Sequence, residues 1–210
     1  NMKWRGTNVG SSRGASALTH TWSHRFTASR VGSGRWSGPN ASNVTEETLV
    51  AAGLVRKAVR IAKANGAKVV FDIDYRPNLW GLAGHAAGEE RYIKSDWVTA
   101  LLQKVLPDCD LVVGTEEEVH IAGGSEDTLM ALAAIRKLSN AVIVLKRGPM
   151  GCVVYPGAIP KRIEDGLVGQ GFPIEVYNVL GAGDSFMSGF LRGYLRGEPH
   201  ETSATWANAC

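Results

Sequence analysis

Asn178-Val-Leu-Gly-Ala-Gly-Asp-Ser-Phe-Met-Ser-Gly-Phe190 is the stretch on which the reading of this chain turns. Gly181 and Gly183 free the backbone for a tight turn, and the apolar spacing beyond them predicts a helix over about 184–196. The first amides of such a helix face outward at its positive dipole end, which suits an anion. Asp184 falls in the first helical turn. There it acts either as a plain dipole-compensating cap or as a base that takes the proton of an attacking hydroxyl while the amides stabilise transferring charge. Two better-known glycine motifs do not apply. A dinucleotide fingerprint would need glycine where Phe186 stands, and no Gly-x-x-x-x-Gly-Lys-[Ser/Thr] occurs anywhere in the chain.

Upstream, strand-like and helical patterns alternate. Residues 45–48 start a helix with acids in its first turn, and Leu49, Ala52, Val55, Val59 and Ala62 continue it until Asn65-Gly66. Lys68-Val-Val-Phe-Asp72 is a short apolar run suited to a buried parallel strand. A helix over 93–105, a strand over 110–114, helical stretches near 115–122 and 126–138, and a strand over 141–146 follow. A glycine turn at 148–151 leads to a strand over 152–155, and 173–177 reads as strand before the decisive turn. This alternation predicts an α/β fold, a largely parallel sheet flanked by helices in layers. Ligands in such sheets sit beyond the carboxyl ends of the strands, where all the motifs fall.

The chain has 210 residues, 44% of them hydrophobic, enough for one sizeable core. Residues 1–40 carry six Lys/Arg and no Asp or Glu, which leaves 17 basic and 20 acidic residues in 41–210. The body is mildly acidic, so no nucleic-acid partner is expected. No window approaches about 18 uninterrupted apolar residues, so no membrane span is expected either. Residues 1–40 are rich in Ser, Gly, Arg, Thr and Trp without a period. They are expected to be irregular or disordered, outside the fold, with 41–210 forming a partial domain. The start at Asn1 and the stop at Cys210 within a helical pattern suggest a piece of a longer protein. Cys109, Cys152 and Cys210 form an odd set without metal-ligand spacing. They are expected to be buried or half-buried thiols of a reducing cytoplasm. The Asn40 and Asn43 triplets are chance matches without a secretory route, and His85, His120 and His200 are assigned to the solvent side.

Gly181-Ala182-Gly183-Asp184, with Phe186 and Gly189-Phe190, resembles the C-terminal signature of the ribokinase (PfkB carbohydrate kinase) family. The resemblance runs from about residue 66 to 210. It implies a ribokinase-like fold and ATP-dependent phosphorylation of a sugar hydroxyl, with Asp184 as catalytic base and residues 181–183 as the anion hole. The Asp-Thr pair usual ahead of the turn is Asn178-Val179 here, a departure that resembles the 5-dehydro-2-deoxygluconokinases of inositol breakdown. Thr115-Glu116-Glu117-Glu118 resembles the family's Asn-x-x-Glu motif. That match implies Glu118 on the Mg²⁺ side, with Glu117 the alternative register.

Asp72-Ile-Asp-Tyr-Arg-Pro-Asn-Leu-Trp80 resembles the corresponding stretch of acid-sugar kinases, and implies that Asp74 and Arg76 meet the substrate. An arginine fork suits a carboxylate, although pairing with Asp74 alone is the plain alternative. By the same resemblance Lys146, Gly148 and Gly151 approach ATP, and Asn208 lines the adenine side. The family's N-terminal Gly-Gly sugar motif and small β-sheet lid are not recognisable in residues 1–40. The expected reaction is phosphorylation of the C6 hydroxyl of 5-dehydro-2-deoxygluconate. A 2-keto-3-deoxygluconate kinase, another sugar kinase, or a non-catalytic ligand-binding or assembly module remain the alternatives, and self-association is left open.

Overall fold

The computed structural model describes residues 17–20, 46–80, 82, 92–173, 175 and 178–210. Six strands form one sheet in sequence order: β1 (Ala17–His20), β2 (Lys68–Asp72), β3 (Leu111–Thr115), β4 (Val142–Lys146), β5 (Cys152–Tyr155) and β6 (Leu167–Val168). The first four run parallel, and β5 and β6 pair antiparallel at one edge. β5 turns back because only residues 147–151 separate it from β4, too few for a parallel crossover. The α/β class and the largely parallel sheet are as expected. β6 is an addition to the sequence reading, two residues long and therefore without a period to detect.

One part of the N-terminal expectation needs correction. Ala17–His20 lies within the stretch assigned outside the fold, yet it pairs in parallel with β2, Ala17 against Lys68 through His20 against Phe71. Backbone pairing at a sheet edge asks for extended chain rather than an apolar period, so composition carries no trace of it. The rest of residues 1–40, with Asn40, His85 and most of the strand expected at 173–177, lies outside the described residues.

Helices α1 (Glu46–Ala64), α2 (Asp96–Gln103), α3 (Glu116–Gly123), α4 (Thr128–Leu138), α5 (Ala182–Arg196) and α6 (His200–Ala209) complete the layers. Parallel strands buried on both faces read as unbroken apolar runs, and β3 has its first four residues buried. One core joins Phe71, Ile73, Val112, Ile143 and Leu145 to α2, α3 and α4. The opposite core joins Val70, Leu111, Val113, Val144 and Val154 to Met187 and Phe190 of α5 and to Ala204 and Ala207 of α6.

Two glycines set how closely α5 meets α6. A Cβ on Gly189 would come within 2.8 Å of the Trp206 carbonyl oxygen, and one on Gly193 within 2.3 Å of Ser203 Oγ. Arg192 then lies 4.6 Å from the Trp206 ring centre. This packing seats α5 on the sheet and aims its first turn at the carboxyl ends of the strands.

Cys109 and Cys152 are buried, as expected, whereas Cys210 is exposed at the end of α6. His120 is not on the solvent side either. It is half-buried, with Nε2 2.8 Å from Thr128 Oγ1 and its ring edge-on to Tyr92. His200 is half-buried and stacks on Tyr194. Both serve helix packing, which isolated histidines in a sequence do not announce. No helix among the described residues is long and apolar enough to cross a membrane.

Candidate active site

Three strands end in one buried ionic cluster. The Lys146 ammonium, at the end of β4, lies 3.3 Å from Asp72 Oδ1 at the end of β2 and 3.7 Å from Glu118 Oε2 in the first turn of α3. The three side chains are only 15%, 8% and 14% exposed in that order. Burial disfavours the Lys146 charge, but the carboxylates of Glu118 and Asp72 outweigh it and hold the pKa above the usual lysine value. Burial also raises both acids above the ordinary carboxylate range, against the pull of Lys146. One ammonium shared between two desolvated carboxylates leaves the cluster short of positive charge.

Glu118 is fixed by a capping box. Its Oε2 accepts the Thr115 amide at 2.7 Å, and Thr115 Oγ1 accepts the Glu118 amide at 3.3 Å. Gly114 makes room for this fold-back, because a Cβ there would stand 3.3 Å from Glu118 Cβ and 2.8 Å from Ile73 Cδ1. Glu116 turns aside to Arg147 at 2.8 Å, and Glu117 is exposed. Of the three consecutive acids, it is Glu118 that meets the ends of the neighbouring strands.

Beyond β2 the chain leaves through Asp74, whose φ of 36° is the only positive value at a non-glycine among the described residues. Aspartate tolerates this left-handed region better than most residues. Arg76 Nε donates to Asp74 Oδ1 at 3.1 Å, and Asp74 Oδ2 is buried with no hydrogen-bond partner among the described residues. Arg76 itself is 54% exposed. The loop is anchored by Tyr75, whose hydroxyl donates to the Ile93 carbonyl at 2.6 Å, and by Trp80 set edge-on to Trp97.

The glycine turn closes the arrangement. Gly181 takes φ 79° and caps α5. The Ala182 amide donates to Val179 and the Ser185 amide to Gly181, which leaves the amides of Gly183 and Asp184 as donors with no backbone acceptor among the described residues. Residues 181–184 are exposed. A Cβ on Gly183 would lie 3.9 Å from Lys146 Nζ, so the turn sits directly over the buried cluster. The charge of Asp184 also contributes to raising the Asp72 pKa.

The nucleotide-side candidates divide between two places. Gly148 and Gly151 take φ 54° and 74° in the turn after β4, and a Cβ on Gly151 would be 3.1 Å from Asn208 Nδ2. Asn208 donates from that nitrogen to the carbonyls of Gly169 and Gln170, at 3.4 and 3.1 Å. Lys146 instead points inward to the carboxylates. Asp72 is the member that motif reading passed over. Its signal was an acid closing an apolar strand, matched by the lysine closing β4.

Magnesium fits these residues in chemistry and charge. Carboxylate oxygens are hard donors, and the cluster carries an excess of buried negative charge. Among the described residues, no three His, Cys, Asp or Glu side chains gather to hold a metal. Glu118 would therefore share an ion with waters and phosphate oxygens.

Residues 54–210 match the family model described as pfkB family carbohydrate kinase. The 5-dehydro-2-deoxygluconokinase of Halalkalibacterium halodurans is 31% identical over 161 residues, covering 74% of this chain and 43% of that protein. The enzyme of the same name from Bacillus subtilis is 29% identical with the same coverage. The chain thus spans less than half the length of these curated relatives. A putative ribokinase II from E. coli, in complex with ATP and Mg²⁺, superposes with a TM-score of 0.58 at 24% identity, covering 74% of this chain and 44% of that one. A Vibrio cholerae fructokinase bound to fructose, ADP and calcium gives 0.57 at 23%, covering 74% and 47%.

Proposed function

Because the chain belongs to the pfkB family of carbohydrate kinases, we propose that it supplies the phosphoryl-transfer half of an ATP-dependent sugar-acid kinase. The observation that carries this reading is the exposed α5 turn, with its two outward amides and Asp184, placed over the Asp72–Lys146–Glu118 cluster. A helix start of that kind binds phosphate, and the carboxylate beside it has a proton to take.

The substrate is 5-dehydro-2-deoxygluconate, as in the relatives' names, and the acceptor is its C6 hydroxyl. Asp184 accepts the hydroxyl proton as the sugar oxygen bonds to the γ-phosphorus and the bond to the departing ADP oxygen breaks. The amides of Gly183 and Asp184 donate to the phosphoryl oxygens, on which negative charge is spread. Arg76 swings its exposed guanidinium from Asp74 to the sugar carboxylate, a two-pronged match. Asp74 Oδ1, freed when Arg76 moves, accepts a sugar hydroxyl. Gly148, Gly151 and Asn208 form the nucleotide side. Magnesium, when bound, would neutralise phosphate charge, and Glu118 would hold it through water. Residues 41–210 carry this kinase part, and the use of ATP places it in the cytoplasm.

The test is a coupled ADP-release screen of sugar acids against neutral sugars with the full-length protein. The reading predicts the highest kcat/KM for 5-dehydro-2-deoxygluconate. Preference for 2-keto-3-deoxygluconate would move the substrate within the acid class, preference for fructose or ribose would remove the role of Arg76, and no turnover would leave a ligand-binding module.

A further inference from the structure

We propose that Asp72 is a positioning residue for Glu118 and acts on it through the Lys146 ammonium. The inference deepens the kinase reading and rests on it for the role of Glu118. Asp72 is 6% exposed, too buried to touch a sugar or a nucleotide. Its Oδ1 takes the Lys146 ammonium at 3.3 Å, and the same ammonium lies 3.7 Å from Glu118 Oε2. That oxygen also accepts the Thr115 amide at 2.7 Å. Oε2 is thereby committed inward, so the other oxygen, Oε1, is the one that can serve an ion or water outside.

Lysine carries its charge on a flexible four-carbon stem. Where it stands, between the carboxylates, the ammonium already lies under the glycine turn, 3.9 Å from where a Cβ on Gly183 would be, so a short outward move would bring it beside a phosphate held there. Asp72 opposes that move. Without its charge the ammonium keeps the longer contact to Glu118 and the more distant charge of Asp74, and the outward position, beside a bound phosphate, gains. A buried ion cluster is a poor device for stability alone, since desolvating three charges offsets most of their attraction. It does fix geometry across three chain segments. A residue that orients another group bound to a metal typically changes metal affinity or activity tenfold or more when removed.

Two measurements on Asp72→Asn test this. In the 210-residue chain, the Thr115 amide proton reports its short bond to Glu118 by nuclear magnetic resonance. We expect it to lose its downfield position in the variant and to regain it in Asp72→Glu. In the full-length protein, the Mg²⁺ concentration for half-maximal activity should rise roughly tenfold or more, with KM for the sugar acid within about twofold. Asp110→Asn, which breaks an ion cluster at the other end of β3, should move neither. If Asp72→Asn does not fold, Lys146→Met takes its place and must displace the same amide. An unmoved Thr115 amide with an unchanged Mg²⁺ requirement overturns the inference while leaving the kinase reading intact. A displaced amide in a protein that phosphorylates no sugar keeps the positioning contact and sinks the kinase reading instead.

Discussion

The ends of β2, β3 and β4 and the start of α5 face the same space, but they are built in opposite ways. Asp72, Glu118 and Lys146 are nearly out of water, the two acids each paired with the one ammonium. Residues 181–184 stand in solvent, with two amides and a carboxylate that make no hydrogen bond among the described residues. A buried cluster can hold a geometry but cannot reach a substrate. An exposed turn can reach one but owes its own position to what lies beneath. Changes in the turn should therefore alter chemistry with little effect on stability, and changes in the supporting packing should do the reverse.

The largest expected effect is on Asp184. In the full-length protein, Asp184→Asn should lower kcat by roughly 10²–10⁴, the usual span for loss of a general base. KM for ATP and the melting temperature should barely move, because the side chain is exposed. Near-normal kcat in steady-state assays would remove Asp184 from the chemistry.

Next comes Arg76→Lys, which keeps a charge but loses the planar fork. The loss of a charged bidentate contact costs about 1.5–3 kcal/mol, or roughly tenfold to 150-fold in kcat/KM for the sugar acid. Neutral sugars should lose far less. If the acid-to-neutral ratio of kcat/KM stays constant, the Asp74 pairing is the whole role of Arg76.

On the supporting side, Gly193→Ala would press a methyl group against Ser203, where a Cβ already falls within 2.3 Å of Oγ. Overpacking of this kind costs about 1–3 kcal/mol, measurable by urea unfolding of the chain. Unchanged stability would show that α5 and α6 can part, and that the turn is less firmly seated than described.

The smallest effect lies at the amino end of β3. Partial burial works against the charge of Asp110, yet the Val69 amide and the Lys63 ammonium, with Lys68 beyond, outweigh it and hold its pKa below the usual 3.8. A lowered carboxylate contributes stability above its unfolded pKa and loses it as pH falls through the folded one. Asp110→Asn should therefore cost no more than about 1 kcal/mol at neutral pH, because both lysine partners are exposed and screened, and the gap from wild type should narrow as pH falls below about 4. A gap that persists into acid would assign the contact to shape rather than charge.

Local pattern carried much of this layout. The apolar run 68–72 became β2 with those bounds, and the glycines at 181 and 183 did become the start of α5. The resemblance to the Asn-x-x-Glu motif points to Glu118 over Glu117, and the capping box with Thr115 is the local feature that turns Glu118 inward. The Asp72–Lys146 contact was not legible, because 74 positions separate the partners and no period links them. The family resemblance points Lys146 toward ATP, and the fold adds that its ammonium lies between two acids. Pairing of Ala17–His20 with β2 escaped for a related reason, since backbone hydrogen bonds at an edge ask little of side chains. His120 shows the same limit, its partners Thr128 and Tyr92 being fixed only by helix packing.

The most direct measurement follows the phosphoryl group itself. The full-length protein, given ATP, Mg²⁺ and 5-dehydro-2-deoxygluconate, is monitored by phosphorus magnetic resonance, with Asp184→Asn protein in parallel. We expect a new phosphate monoester coupled to the C6 protons, matched by equal ADP, and its near-absence over the same time with the variant. ATP consumed at the same rate by both proteins, or phosphate released to water without a sugar ester, would contradict it.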